Sequence, residues 1–194
     1  YPLAEALKEK GMNAVAITDH GNMYAAYNAV SVLRKNGIKP IIGEEFYVAD
    51  DINEKSTKRY HLILLAKNET GYKNLMKLST IAFMDGFYYK PRIDFNILKK
   101  YTEGVICLSA CLAGEVPQNL LYGSYTSAKE VAIRYRDIFA PGDYYIEIQD
   151  HNISEERRIT PDLIKIAKEI GVKVVATNDV HYINKKDANV QDTL

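Results

Sequence analysis

The stretch "VKVVATNDVHY", residues 172–182, joins an apolar run to two residue types that bind metals or transfer protons. Residues Lys173 to Thr177 are rich in β-branched side chains, which favours a buried strand. Asp179 and His181 follow two positions apart, and in an extended segment such positions point to the same side. The sequence therefore predicts a carboxylate and an imidazole that project together from the end of a buried strand.

The composition is that of an ordinary soluble domain, with 47% hydrophobic and 26% charged residues in 194. Lys plus Arg (25) balances Asp plus Glu (25), which excludes a free-standing electrostatic binder of nucleic acid, so any DNA contact needs a local patch. Two cysteines, Cys107 and Cys111, are too few for a disulfide framework. No stretch approaches the ~20 apolar residues of a membrane span. We expect a cytoplasmic protein without a membrane partner.

Strand patterns alternate with helical patterns along most of the chain, which predicts βα units and a mainly parallel sheet. The predicted strands are 13–18, 39–49, 60–66, 104–110, 143–149 and 173–177. A parallel barrel usually has about eight strands, so this count leaves an open sheet and an incomplete barrel as alternatives. The second and third strands are too close in sequence for a helix between them, which breaks the regular pattern.

Metal-ligand residue types gather at the strand ends. Three strands end in a hydroxyl residue followed two positions later by such a type: Thr18 and His20, Ser109 and Cys111, Thr177 and Asp179. All four histidines of the chain, at positions 20, 61, 151 and 181, lie at or beside strand ends. The carboxyl ends of parallel strands share one face of the fold, so these groups predict a metal site there. A cluster of two or three ions would suit hydrolysis of a phosphoester.

The sequence alone leaves two points open. Glu44 and Glu45 cannot both face one site from a strand, and we expect one of them to be solvated. His61 opens its apolar run instead of closing it, so either that strand is antiparallel or the sheet bends there. Cys107 lies within an apolar run and is interpreted as a buried core residue.

Seven stretches resemble the PHP (polymerase and histidinol phosphatase) domain of bacterial DNA polymerase III alpha subunits. They are "AITDHGNMYAAYNAV", "GIKPIIGEEFYVA", "HLILLAKNETGYKNLMKLS", "GFYYKPRID", "LSACLAGEVP", "EIQDH" and "VVATNDVHY". The resemblance implies an α/β fold, a distorted (β/α)7 TIM-like barrel with a rim site for up to three metal ions. The metal ligands it implies are His20, Glu45, His61, Cys111, Asp179 and His181. Near-site candidates are Asp19, Glu44, Asp150 and His151.

The His-x-His motif that the family carries on its first strand is absent, since no histidine precedes His20. We therefore expect residues 1–194 to form a single PHP domain that lacks its first strand. The barrel would be incomplete at the N-terminus, and the last residues would lead towards the polymerase body.

The resemblance implies a role in DNA replication, as part of a nucleotidyltransferase whose PHP domain acts as a metal-dependent phosphoesterase with 3′–5′ exonuclease activity. The alternative is a non-catalytic scaffold or docking module with a structural or vestigial metal site. A third hypothesis is a free-standing small-molecule phosphatase. Zinc or manganese is the expected metal, with magnesium as a further option. Expected partners are the 3′ end of DNA, the remaining polymerase domains and other replicase subunits.

The stretch "GFYYKPR", residues 86–92, is a candidate DNA contact. Tyr88 and Tyr89 could stack a base, while Lys90 and Arg92 could contact phosphate. An ordinary loop with solvated charges and packed tyrosines is an equally good interpretation.

Overall fold

The computed structural model describes residues 2–193 and shows one seven-stranded sheet. Its strands are β1 (Ala14–Ile17), β2 (Lys39–Ala49), β3 (Tyr60–Ala66), β4 (Arg92–Asp94), β5 (Val105–Leu108), β6 (Tyr144–Ile148) and β7 (Lys173–Ala176). The six predicted strands are confirmed, but the expectation that the last one is buried is wrong. Lys173, Val174 and Ala176 are exposed, because β7 lies at the edge of the sheet and pairs only with β6 among the described residues. β4 was not predicted, because three residues are too short a run to show a period.

The helices lie between the strands as the alternating pattern predicts. They are α1 (Pro2–Glu9), α2 (Ala26–Lys35), α3 (Glu69–Met84), α4 (Phe95–Leu98), α5 (Glu115–Tyr122), α6 (Tyr125–Arg136), α7 (Ser154–Ile170) and α8 (Ala188–Gln191), the last preceded by a 3₁₀ turn at Lys185–Asp187. Within residues 2–193, none of them has both the length and the apolar character that a membrane-spanning helix needs.

The sheet curls into part of a barrel. Its order is β1-β2-β3-β5-β6-β7, with β4 also paired to β2. β1 is parallel to β2, and β5, β6 and β7 are parallel to one another. Among the described residues β1 and β7 each pair with a single strand, so the barrel is open between them. This arrangement confirms the expected α/β class, a partial TIM-like barrel.

Strand β3 runs antiparallel to both of its neighbours, β2 and β5. The chain returns from β2 to β3 through residues 50–59 without a helix, and such a connection reverses the chain direction. The choice left open by His61 is therefore settled in favour of an antiparallel strand. Because β3 is reversed, its first residues lie beside the last residues of β5.

The main core packs between the sheet and helices α3 to α7. Its fully buried members include Leu64, Leu75, Cys107, Ile146 and Ile166. Cys107 is 0% exposed, which confirms its interpretation as a core residue. A second, smaller cluster joins α1 and α2 through Leu7 and Leu33. The side chains that the sheet turns away from the helices are left to form the site.

Arg92 in β4 is buried and acts as a clamp on the loop between β2 and β3, residues 50–59. Its guanidinium donates to the carbonyls of Ile52 at 2.9 Å, Glu54 at 3.1 Å, Ser56 at 2.7 Å and Gly86 at 2.9 Å. The side chain is 2% exposed. The prediction that Arg92 contacts phosphate is therefore wrong, because its donors already serve the backbone of residues 52–56 and 86.

Replacing Arg92 with Ala should lower the free energy of unfolding by roughly 3 kcal/mol or more, since several carbonyls lose a charged donor at once. Arg157→Ala is the matched control, because Arg157 is exposed and its side chain pairs with exposed Asp150. An exposed pair of this kind contributes about 0–1 kcal/mol. Urea unfolding of both variants measures the difference, and equal losses would show that the clamp does not stabilise the fold.

Candidate metal centre

Glu45 lies at the centre of the site and joins two histidines. Its side chain is 3% exposed on the inner face of β2. One carboxylate oxygen contacts Nδ1 of His20, and the other lies 3.0 Å from Nδ1 of His61. The backbone brings them together, because the chain after β1 continues beside β2 and the amide of Glu45 donates to the carbonyl of Asp19 at 3.0 Å.

Cys111 meets His61 because β3 and β5 are antiparallel. The Sγ atom lies 3.7 Å from Nδ1 of His61. Ala110 has a φ of +64°, an unfavourable value for a residue with a Cβ, and this turns the chain back at the end of β5. The amide of His61 then donates to the carbonyl of Ala113 at 3.0 Å, which fixes the loop against the start of β3.

His181 reaches the same site from the end of β7. Its Nδ1 lies 2.8 Å from the backbone carbonyl of Asp179, so this nitrogen carries the proton and Nε2 is free to accept. That Nε2 lies 3.1 Å from Nε2 of His20. Asp179 has a φ of +44°, a second left-handed residue at a strand end, and its carboxylate is 3.9 Å from Nδ1 of His181.

The six predicted ligands form one continuous row in which each side chain contacts the next. The order is Cys111, His61, Glu45, His20, His181, Asp179. Glu45, His61 and Cys111 are the tightest group, with one ligand atom from each within 4.8 Å of the others. The structure thus places all six predicted ligands together, and their role in binding metal stays a proposal.

The donor atoms fit divalent cations. The Nδ1 of His20 contacts Glu45, and the Nδ1 of His181 donates its proton to a carbonyl, so when both rings are neutral two Nε2 lone pairs face each other at 3.1 Å. Such lone pairs repel unless a proton or a metal cation lies between them, and a second contact on Nδ1 is the usual way to orient a histidine ligand. A thiol, imidazoles and carboxylates are the ligand types that zinc accepts, and carboxylates also suit manganese.

The row is strongly coupled electrostatically in the absence of metal. Burial raises the pKa of Glu45, but hydrogen bonding to His61 and the charges of His61 and His20 outweigh it and hold the pKa below its usual range. Burial alone would lower the pKa of His61. Hydrogen bonding to Cys111 and Glu45, together with their charges, outweighs burial and raises this pKa to about 10. A buried carboxylate thus selects cations as its neighbours, whether these are imidazolium groups or metal ions.

Two near-site candidates stabilise the surroundings of the row. Asp19 accepts from the amide of Ala25 at 2.8 Å at the start of α2. His151 lies between α7 and the end of β7, with Glu156 and the carbonyl of Asn178 each 2.7 Å from its ring. His151 thereby holds the residue before Asp179.

The other two candidates lie away from the row. Asp150 is exposed and pairs with Arg157 at 3.3 Å. Glu44 points to the opposite face of β2 from Glu45, yet it is 0% exposed. The expectation that one of the two glutamates is solvated is therefore wrong, and burial raises the pKa of Glu44 to about 8.

The predicted DNA-contact loop lies near the row through Tyr47. Lys90 places its Nζ 5.8 Å from the centroid of the Tyr47 ring, and that ring meets the His61 ring edge-on at 5.3 Å. Tyr88 and Tyr89 pack against each other, and Tyr89 is 74% exposed. These three residues thus remain candidates for a contact with DNA, whereas Arg92 does not.

Glu147 is an inward-facing acid that sequence reasoning missed. It is 4% exposed on β6 and lines the same cavity as Glu45 and Asp179. One oxygen accepts from the hydroxyl of Thr177, two residues before Asp179, and from Gln149 at 3.1 Å. The other oxygen is buried without a partner among the described residues. An acid inside the apolar run "YYIEIQ" was the signal that could have found it.

A family model for the PHP domain matches residues 2–151. The chain belongs to the PHP family. DNA polymerase III subunit alpha of Treponema pallidum is 48% identical over 198 residues, and that of one Helicobacter pylori strain is 46% identical over 203 residues. These alignments cover 99% and 98% of this chain but only 17% of each relative, so the chain spans about a sixth of their length.

A solved structure also shares this PHP-type fold. It is that of a candidate metal-dependent phosphoesterase from Bifidobacterium adolescentis, which matches with a TM-score of 0.56 and 14% identity. The match covers 98% of this chain and 88% of that protein. At such low identity the likeness concerns the fold alone.

The buried position of Glu147 predicts a pH-dependent stability in the absence of metal. Burial raises its pKa above the ordinary 4.5, and the nearby charge of Asp179 adds to the shift. The folded chain therefore holds this proton to higher pH than the unfolded chain does. As pH rises from about 4.5 through the raised folded pKa, the free energy of unfolding should fall.

Glu147→Gln should flatten this dependence, because the amide accepts from Thr177 but cannot ionise. Urea unfolding in a chelator, repeated from acid to neutral pH, measures it. Exposed Glu130 on α6 provides the control substitution Glu130→Gln, which should leave the slope with pH unchanged. A Glu147→Gln profile parallel to that of the unaltered chain would contradict the account.

Proposed function

We propose that this chain is the metal-dependent phosphoesterase module of a replicative DNA polymerase and removes nucleotides from a DNA 3′ end. The observation that carries the proposal is the continuous row of six ligand-type side chains at the rim of the barrel. The relatives support the replicative context, since they are DNA polymerase III alpha subunits. In that context DNA, the other polymerase domains and further replicase subunits are the partners.

The row offers enough ligand-type side chains for more than one cation. At one end it offers the Cys111 thiol beside His61 and Glu45, a set that suits zinc. At the other end, His20, His181 and Asp179 offer nitrogen and oxygen donors that also suit manganese. When bound, divalent cations lower the pKa of water and offset the negative charge of a phosphodiester.

The chain itself supplies orientation and access. Glu45 holds His20 and His61 by their Nδ1 atoms, and the carbonyl of Asp179 fixes the ring of His181. Glu45 is buried, whereas His20 is 49% exposed and His181 is 35% exposed. The row is thus anchored inside the barrel at Glu45 and is accessible to a substrate at His20 and His181.

Asp179→Ala and His181→Ala should each lower the bound metal without unfolding the chain, because both side chains lie at the open end of the row. Loss of a ligand should weaken metal affinity by at least about 100-fold, the upper range seen for residues that only orient ligands. Elemental analysis after removal of free metal measures the content, and circular dichroism checks the fold. Exposed Asp150 provides the control Asp150→Ala, which should retain the full content.

Hydrolysis of a 5′-labelled single-stranded oligonucleotide, with manganese or zinc added, tests the activity. The proposal predicts stepwise shortening from the 3′ end that both ligand variants abolish. Full metal content without any shortening would favour the scaffold alternative. Variants with unchanged metal content would contradict the site assignment itself.

A further inference from the structure

A cleft of about 550 Å³ opens beside the metal centre, outside the barrel interior. One wall is the segment before β3, residues 57–60, and the other is the end of α5, with Gln118, Asn119 and Tyr122. His61 lies at the junction of the two walls and belongs both to the cleft and to the row of ligands. The volume falls in the ~300–1,000 Å³ range of small-ligand pockets.

The cleft is lined by cations and neutral polar groups, and none of its lining residues is acidic. Lys58 and Arg59 lie on the first wall, and Lys58 also bonds Asp50 outside the cleft at 2.9 Å. The guanidinium of Arg59 donates to the carbonyl of Thr57 at 2.8 Å, and its Nε is buried without a partner among residues 2–193. In a chain of zero net charge, this local excess of positive charge suits an anion.

A second pair of cationic side chains lies between the cleft and the row of candidate metal ligands. Arg59 lies 5.3 Å from the centroid of the Tyr47 ring, and Lys90 lies 5.8 Å from the same centroid. The Tyr47 ring packs edge-on against His61. Two cations on one ring therefore flank the histidine at which the cleft meets the metal centre.

The opposite wall offers groups that suit a base. Tyr122 is 80% exposed at the end of α5, so its ring is accessible to a ligand in the cleft. The amides of Gln118 and Asn119 donate to the carbonyls of Leu112 and Glu115, which leaves their own carbonyl oxygens as acceptors. An aromatic face beside amide acceptors and cations is the chemistry that binds single-stranded nucleic acid.

The larger cavity on the inner side of the sheet is less suited to an anionic strand. It measures about 720 Å³, and four carboxylates line it together with the apolar side chains of α1 and β1. Those carboxylates belong to Asp19, Glu45, Glu147 and Asp179. The two cavities meet where Glu45 and His61 lie 3.0 Å apart.

We propose that the outer cleft, defined by Lys58, Arg59, Asn119 and Tyr122, binds the DNA strand next to the phosphodiester presented to the metal centre. Lys58 and Arg59 contact phosphate, and Tyr122 stacks on a base. This inference rests on the proposed function but concerns binding, which can be measured without hydrolysis.

Fluorescence anisotropy of a labelled oligothymidylate, titrated with this chain in a chelator, tests the proposal. Tyr122→Ala should weaken binding by roughly five- to one-hundred-and-fifty-fold, the effect of losing a stacking side chain. Lys58→Ala should weaken binding at low salt and reduce the dependence of log K on log salt by about 0.7.

The chain offers matched controls for both substitutions. Tyr27 is 85% exposed and lines neither cavity, so Tyr27→Ala should bind as the unaltered chain does. Lys129 pairs with Glu169 at 2.7 Å on the helical surface, much as Lys58 pairs with Asp50, and Lys129→Ala should likewise be neutral.

No binding by the unaltered chain, or equal losses in the cleft and control variants, would overturn the proposal. Metal content and hydrolysis of bis(p-nitrophenyl) phosphate, which is too small to span the cleft, report the proposed function separately. A chain that hydrolyses this ester but binds oligothymidylate equally well without Tyr122 would retain the function and lose the cleft.

Discussion

The buried carboxylate of Glu45 is the constraint on which the arrangement depends. A charged group that is 3% exposed costs several kcal/mol unless cations or donors surround it. His20 and His61 supply those partners from two different strand ends. Because one oxygen faces each histidine, Glu45 ties the parallel part of the sheet at β1 to the reversed strand β3. Loss of this carboxylate would leave the two halves of the row without a common member.

The reversal of β3 decides which residues can meet. In a regular βα barrel His61 would lie at the amino end of its strand, away from the site. The short connection over residues 50–59 reverses β3 instead. The guanidinium of Arg92 holds that connection in place by donating to three of the connection's backbone carbonyls. A clamp far from the chemistry thus fixes the strand that brings His61 to Cys111. Backbone strain at Ala110 and Asp179, both with positive φ, completes the placement at the two other strand ends.

The strands and the set of candidate ligands could be predicted because an apolar run, and the residues that follow it, are local patterns in the sequence. The sequence left the direction of β3 open, since direction depends on pairing with β2 and β5 and not on the run itself. Glu44 was expected in solvent because periodicity shows alternation but not what covers the second face. The prediction for Arg92 failed for a similar reason: a basic residue beside tyrosines suggests phosphate, whereas three of its four backbone partners lie 36 to 40 positions away. Glu147 lay unnoticed inside an apolar run.

X-ray absorption at the zinc edge is the sharpest test of the ligand row, because it identifies the atoms around a bound ion. Zinc held by the tight group of Glu45, His61 and Cys111 should show one sulfur scatterer at about 2.3 Å and nitrogen or oxygen scatterers at about 2.0–2.2 Å. Cys111→Ser should remove the sulfur shell and leave the lighter scatterers in place. A spectrum of the unaltered chain without sulfur would contradict the account, since the row would then not bind zinc at its thiol end.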